Sequence, residues 1–469
     1  MKNIFRLLIL FGICSFPSLV LGFSNHRSYP EIEQFSMKST LTQKMLKSCE
    51  NGVFSLQQDY TLIEDVILPQ NCTLEFCGGS LKGNHTITGR NTCVRGNVRI
   101  SPEVKFEGSF NNIFTVYVDW FIDTYKANVD CSAGIRSAIR LAKLARTSLS
   151  FGGSVSGKAL KYYCTSGNFD ISGIVVHGNG SGITGVGDYD MFIVDGNCHI
   201  HDLNINKYPY QDGSSSKDYD NAAIICRNNH QMKFDNVCID GFHYGFLLEA
   251  AWNVVIDACS TRKCSVGIKS KGLSVNNNIC NSRIAGTVFG IEAIGTSEGW
   301  MISDNLIMGS TGISFTNHSN SIVKGNIIDL CRDYAIRLYQ NCPGILIDNN
   351  YMAIEKGGKA IVEVKTQDIK NNEDQMISIT NNVMRGYGSI QGDVGISISS
   401  GKYKHIKIIG NHIKSSGLQY GINVCKSVSI CTLFVRDNLV EGKDNKQTVN
   451  INGEVEYKFI TDNVKTRLD

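Results

Sequence analysis

Gly290-Ile291-Glu292-Ala293-Ile294, then Gly312-Ile313-Ser314-Phe315-Thr316, then Ala335-Ile336-Arg337-Leu338-Tyr339 decide how this chain folds. Each begins with a small residue and alternates apolar with variable positions, the signature of a half-buried strand. The motif also occurs earlier, at Ala223, Gly245 and Gly267, so successive starts lie 22, 22, 23, 22 and 23 residues apart. A second motif follows in fixed order: an apolar residue, two small or polar positions, Asn, one free position and another apolar residue. It reads Ile302 to Ile307 around Asn305, Val323 to Ile328 around Asn326 and Ile347 to Met352 around Asn350, and returns around Asn382, Asn411 and Asn438. A fixed period of about 22 residues with strand patterning means stacked coils, each burying its apolar face against its neighbours.

The 469 residues exceed one ordinary globular core, but a coil stack grows without that limit. Forty-six glycines against six prolines suit a chain that turns often between short strands. Residues 1–22 have a secretory composition: Lys2 and Arg6 precede an apolar run from Leu7 to Phe16, too short to span a bilayer, and Gly22 offers a cut. The chain is expected to be secreted, periplasmic or at the cell surface, with no stable membrane insertion after signal removal. Removing those two cations takes the formal charge from +3 to +1, which gives no basis for nucleic-acid binding. Sixteen cysteines remain without a Cys-x-x-Cys pair or zinc spacing, and several sit in strand patterns where free Cys packs as a small hydrophobe.

Residues 23–115 read as an N-terminal β-rich segment of early coils or a small β cap, and 116–160 as a cap containing an amphipathic helix. In that helix Ile135, Ala138, Ile139, Ala142 and Ala145 share a face, with Ser132 near its start. Residues 161–455 are the coil stack and 456–469 a C-terminal tail. Wider spacings place loops at Asn206–Asn221, Glu355–Gln375 and Met384–Asp393, natural walls for a groove.

The helix Ala133–Ala145 is followed by Ser148-Leu149-Ser150-Phe151-Gly152-Gly153 and Phe169-Asp170-Ile171. After these come Gly173-Ile174-Val175-Val176-His177-Gly178-Asn179-Gly180 and Cys198-His199-Ile200-His201-Asp202-Leu203-Asn204-Ile205. This order resembles the opening of the pectate-lyase-like family of right-handed parallel β-helix proteins. The resemblance covers roughly 130 to 440. It implies an all-β solenoid with three strands per coil and an N-terminal capping helix. The Gly-Ile motif would be the first strand and the run before Asn the second. Asn would occupy the bend to the third, stacked as a ladder and tolerating left-handed geometry. The resemblance also implies that the first sheet carries the active site in polysaccharide lyases and hydrolases, and that calcium, where used, sits between acidic side chains. No Asp-x-Asp-x-Asp loop is present, so the cofactor stays unknown, with calcium a candidate.

Stacking the coils gives two outward columns: Ile225, Leu247, Lys269, Glu292, Ser314, Arg337, and Arg227, Glu249, Lys271, Ile294, Thr316, Tyr339. Lys269 should touch Glu292, and Glu249 should touch Lys271. For β-elimination of a uronic-acid chain, Arg337 suits the neutralising cation, Lys269 or Lys271 the base and Tyr339 the acid. For hydrolysis, Glu249 and Glu292 form a carboxylate pair ~9.6 Å apart along the stack, with Asp333 a further acid. Tyr244, Tyr334 and Tyr420 flank the strands as sugar-stacking candidates, with coil-corner packing the alternative. His199 and His201 share an outward face beside Asp202, a divalent-metal edge without a third ligand in view. The function expected is a secreted protein cleaving an acidic polysaccharide by β-elimination on the first-sheet face, with a glycoside hydrolase using paired carboxylates or a non-catalytic glycan-binding, adhesin-like solenoid as alternatives. Alternating Lys and Glu also occur on any solvent-facing sheet.

Overall fold

The computed structural model describes residues 39–122, 129–152, 160–208, 220–366, 375–387, 394–442 and 447–466. Across them the chain winds about 17 turns of β-solenoid with very few helices. All strand pairings are parallel, and they sort into three sheets. The first sheet stacks Tyr334–Tyr339 on 311–316 and under Ala360–Lys365. The second stacks Ile322–Lys324 against Met301–Ser303 and Ile345–Asp348. The third stacks Ile327–Cys331 against Leu306–Met308 and Tyr351–Ile354. Coil order is first, second, third sheet, then the next first-sheet strand, as the two motifs imply.

Inward positions explain the motif. Ile268, Ile291, Ile313 and Ile336 are fully buried one above another, and Ala293, Phe315 and Leu338 form the next inner row. Each buried aliphatic or Phe side chain contributes ~1.5–3 kcal/mol, and repetition makes one continuous core. The small first residue has a steric cause. A Cβ on Gly267 or Gly290 would lie 2.6 Å from the branched methyl of Ile284 or Ile307, which the third sheet pushes into that corner.

The Asn ladder runs as expected and then extends. Asn305, Asn326, Asn350, Asn382, Asn411 and Asn438 are 1–2% exposed, and each after Asn305 accepts a bond from the Asn one coil earlier. Asn463 continues it downstream, and Ser282 N–H bonds Asn305 upstream. The conformational reason differs from the sequence reading. The left-handed residue is the one before each ladder Asn: Asp304, Gly325, Asn349, Asn381, Gly410 and Asp437, with φ between 53° and 69°. The ladder side chain bonds inward because its neighbour takes the turn.

The N-terminal segment is a coil stack too. Ser39–Leu41, Tyr60–Leu62 and Leu81–Lys82 pair in one sheet, and Val53–Leu56, Thr73–Phe76 and 93–96 in another. The helix Ser132–Ala145 buries Ile135, Ala138, Leu141 and Ala142. It packs on the strands Lys105–Phe110, Thr115–Tyr117 and Ser148–Ser150. Ser132 is its first residue, beside the cap position at Cys131, and Asp130 just before accepts from Ser132 N–H at 3.0 Å and Thr165 N–H at 3.0 Å. Of the segment expected as a tail, 456–461 and 464–466 instead form strand, since Glu454–Thr461 and Val464–Thr466 pair in register with the preceding coil; 467–469 lie outside the described residues. The sixteen cysteines among the described residues are free. Among the described residues no helix is long and apolar enough to cross a membrane.

Candidate functional site

The first sheet places both expected columns in register. Cα partners run Ile225, Leu247, Lys269, Glu292, Ser314, Arg337 and then Glu363; beside them run Arg227, Glu249, Lys271, Ile294, Thr316, Tyr339 and then Lys365. The first part of this strip is not a polar surface. Ile225 and Leu247 are buried with Ala222, Tyr244 and Val266 in a second apolar cluster outside the solenoid core. Tyr244 is therefore packed rather than presented to a sugar, with Lys271 Nζ 5.3 Å above its ring.

Lys269 does meet Glu292, in a close and largely buried ion pair. Glu249 instead pairs with Arg227 at 2.9 Å, the neighbour on its other side. Both expected sets are spread along the sheet. Lys269 lies three strands from Arg337, ~14 Å along the stack, beyond the reach of one reacting sugar. Glu249 and Glu292 differ by two strands and two residues, ~12 Å between Cα atoms, and each already holds a cation.

A tighter group forms around Arg337. Its Nε bonds Glu363 at 3.1 Å, and its guanidinium lies 5.4 Å from the Tyr334 ring and 4.8 Å from that of Tyr339. The side chain is 32% exposed, and its two Nη groups make no bond among the described residues. Lys359 bridges to Asp333 at 2.9 Å, and Ser310 donates to the same carboxylate at 2.7 Å. Burial alone would raise the Asp333 carboxyl, but these bonds outweigh it and hold it below the usual range. Burial, with Glu363 beside it, pushes the Tyr334 hydroxyl up to about 12, so Tyr334 keeps its proton. Glu363 escaped the sequence reading because 26 residues separate it from Arg337, and its strand, Ala360-Ile361-Val362-Glu363-Val364, carries Ile361 at the position where earlier coils have Gly or Ala.

Of the expected groove walls, 209–219, 367–374 and 388–393 lie outside the described residues, so Tyr210, Asp212, Asp218 and Tyr219 have no assigned place. Near the first of these, Lys207 is 3% exposed with Nζ 5.2 Å from the Tyr189 ring and 5.3 Å from Phe242, and burial lowers its pKa.

On the second sheet the histidine edge gains a member. His201 Nδ1 contacts Asp202 at 2.8 Å, and its Nε2 lies 2.6 Å from His177 Nδ1. The His199 ring is 5.3 Å from that of His201, and its buried Nε2 has no hydrogen-bond partner. His177 sits one coil before His201, 24 residues earlier, a spacing that could have revealed it.

Residues 197–356 match a protein family described as "Periplasmic copper-binding protein (NosD)". Among solved structures, the chain is similar to a DFA-IIIase from Arthrobacter chlorophenolicus A6 without its lid, in complex with GF2. Identity is 14% and TM-score 0.48, over 72% of this chain and 99% of that one. It is also similar to PfbA, a surface adhesin of Streptococcus pneumoniae, at 14% identity and TM-score 0.45 over 74% and 93%. A third is the periplasmic alginate epimerase AlgG, at 11% identity and TM-score 0.43 over 69% and 78%. No curated protein matches the chain. Among the described residues no group of three or more His, Cys, Asp or Glu could hold a metal ion. The repeat, the three parallel sheets and the stacked corner together make this chain a right-handed parallel β-helix.

Proposed function

We propose that this chain is a secreted carbohydrate-active protein that engages an acidic polysaccharide along the first sheet, anchored at Arg337. The observation behind this is the state of that guanidinium. Nε is held by Glu363, the rings of Tyr334 and Tyr339 flank it, and the two outer nitrogens are free of partners among the described residues. Such a fork takes a carboxylate with two parallel bonds. The tyrosine rings beside it give a sugar an apolar face to lie on.

Cleavage by β-elimination is the reaction this anchor suits, because gripping the uronate carboxylate acidifies the adjacent C–H. One observation favours it here: Tyr339 and Lys365 are register partners beside Arg337, so a hydroxyl and an exposed amine flank the anchor where Lys269 does not. Hydrolysis by Glu249 and Glu292 gains no such support from their separation.

The test is incubation of the mature protein with acidic and neutral polysaccharides, with and without calcium, following binding, unsaturated-uronate absorbance and reducing ends. Binding of uronate polymers is expected, weakened at least tenfold by Arg337→Ala. Unchanged affinity in that variant would remove Arg337 as the anchor. Absorbance with new reducing ends establishes elimination, reducing ends alone a hydrolase, and binding with neither an adhesin-like role.

A further inference from the structure

We propose that the cleft crossing the second sheet from Val175 to Val255 is a binding site for an extended, uncharged glycan chain. The inference does not rest on the role given to Arg337 and uses a different face.

Register builds this cleft. Val175, His199, Lys233 and Val255 are successive Cα partners on four coils, alternating with the buried Val176, Ile200, Phe234 and Ile256. Asn197, Gln231 and Asn253 stand two residues earlier in the last three of those coils and line the same hollow, whose volume is about 600 Å³. Gly173 takes that position in the first coil and has no side chain to obstruct the cleft there. The volume lies within the range of small-ligand sites. Four coils ~4.8 Å apart give a length of about 14 Å, and one coil step is close to the rise of one ring in an extended sugar chain.

The lining carries the two kinds of group that a sugar ring engages. Val175 is 39% exposed and Val255 part-exposed, an apolar surface for the C–H face of a ring. The three carboxamides are donor–acceptor groups of the kind that bind adjacent hydroxyls. Asn197 Oδ1 already holds Gln231 N–H at 3.0 Å, which fixes that amide with its NH2 group as the donor. His199 adds an orphan, because its buried Nε2 lacks a hydrogen-bond partner. Burial, with His201 and Lys233 nearby, lowers the His199 pKa, so the ring is neutral. A buried nitrogen without a partner is costly, and a sugar hydroxyl supplies one once the ring turns about its broad terminal torsion. Charge then selects the class of glycan. Among the described lining residues Lys233 alone is charged, and it pairs with Asp235 at 3.6 Å. The hollow therefore has no counterpart to the Arg337 fork, and a uronate carboxylate gains nothing from entering it.

The experiment is calorimetric titration of the full mature chain with short cello-, manno- and xylo-oligosaccharides, and separately with an oligouronate. Expected is one neutral oligosaccharide per chain from at least one series, with affinity that rises with length and levels off once the chain spans the four coils. Gln231→Ala should weaken that binding at least tenfold and His199→Ala about fivefold. Val175→Trp, which fills the hollow from an exposed position, should abolish it while leaving oligouronate binding within twofold of wild type. Arg337→Ala should do the reverse. Circular dichroism and melting of each variant separate lost binding from lost fold, and Val175 and Gln231 are both exposed, so neither change disturbs the core. A folded wild-type chain that binds none of the neutral series would overturn the proposal. So would neutral binding that survives Val175→Trp and Gln231→Ala, or that disappears with Arg337→Ala, which would put the neutral chain on the first sheet. Failure of the Arg337 reading shows in the oligouronate titration instead, so the two readings fail separately.

Discussion

Two columns of asparagine run along this molecule, and they work for different reasons. In the N-terminal coils Asn51, Asn71 and Asn91 recur every 20 residues, lie exposed and are themselves left-handed, with φ of 52°, 55° and 58°. Their side chains touch in sequence, Asn71 Nδ2 to Asn51 Oδ1 at 2.7 Å and Asn91 Nδ2 to Asn71 Oδ1 at 2.6 Å, but water can replace those bonds. In the main stack Asn305 to Asn438 are buried, and the left-handed turn belongs to the residue before each. There the amide completes the hydrogen bonding of backbone that water cannot reach. The same residue type therefore serves conformation in one place and satisfaction of buried groups in the other.

Substitution should separate the two columns sharply. Asn350 accepts from Asn326 N–H at 3.0 Å and donates to Val323 C=O at 2.9 Å, so Asn350→Ala strands both groups in the core. At ~1–3 kcal/mol for each of the two stranded groups, a loss of about 2–6 kcal/mol is expected in denaturant melts. A loss under 1 kcal/mol would mean that solvent reaches the ladder.

A buried polar group left half-satisfied gives the next effect. His318 stacks on Phe315 at 4.1 Å between ring centres, bonds Ser321 Oγ through Nε2 at 2.8 Å and leaves Nδ1 without a partner. Burial lowers its pKa from 6.5 to about 3. The folded state thus refuses a proton that the unfolded chain accepts below pH 6.5. Stability from this residue is complete above pH 6.5 and falls as pH drops toward 3, by at most ~1.4 kcal/mol per pH unit. His318→Leu should flatten that part of the stability–pH curve, and an unchanged slope would assign the acid sensitivity elsewhere.

Smaller again is the outer column. Asn71→Ala forces a Cβ-bearing residue without a local hydrogen bond into the left-handed region, at about 1 kcal/mol, whereas Asn71→Gly should lie within a few tenths of wild type. If the two variants melted alike, contact between the side chains rather than turn geometry would be holding that column. The smallest change in stability belongs to Arg337→Ala, whose melting temperature should stay within about 1 °C while acidic-glycan affinity falls, since a part-exposed ion pair contributes little.

These contrasts show which signals were local. The Gly-Ile and Asn motifs revealed the period, the inward rows and the order of the three sheets, because alternation and turn chemistry act within one coil. Lys269 and Glu292 could be paired from numbering alone, since the coils between them have regular length. Glu249 could not, because two cations flank it, and only side-chain placement chose Arg227 over Lys271. The ladder was legible, yet its left-handed position was displaced by one residue, since Asp, Asn and Gly before each Asn carry the same turn signal.

What the amino-acid sequence determined by itself is therefore the solenoid: its repeat, its core and its polar corner, each set by residues within about 22 positions of one another. What only the tertiary structure decided is which outward groups meet. Glu363 reaches Arg337 across 26 residues and His177 reaches His201 across 24. Loop length between coils varies without altering the strands, so register, and with it the company each side chain keeps, is settled only when the coils stack.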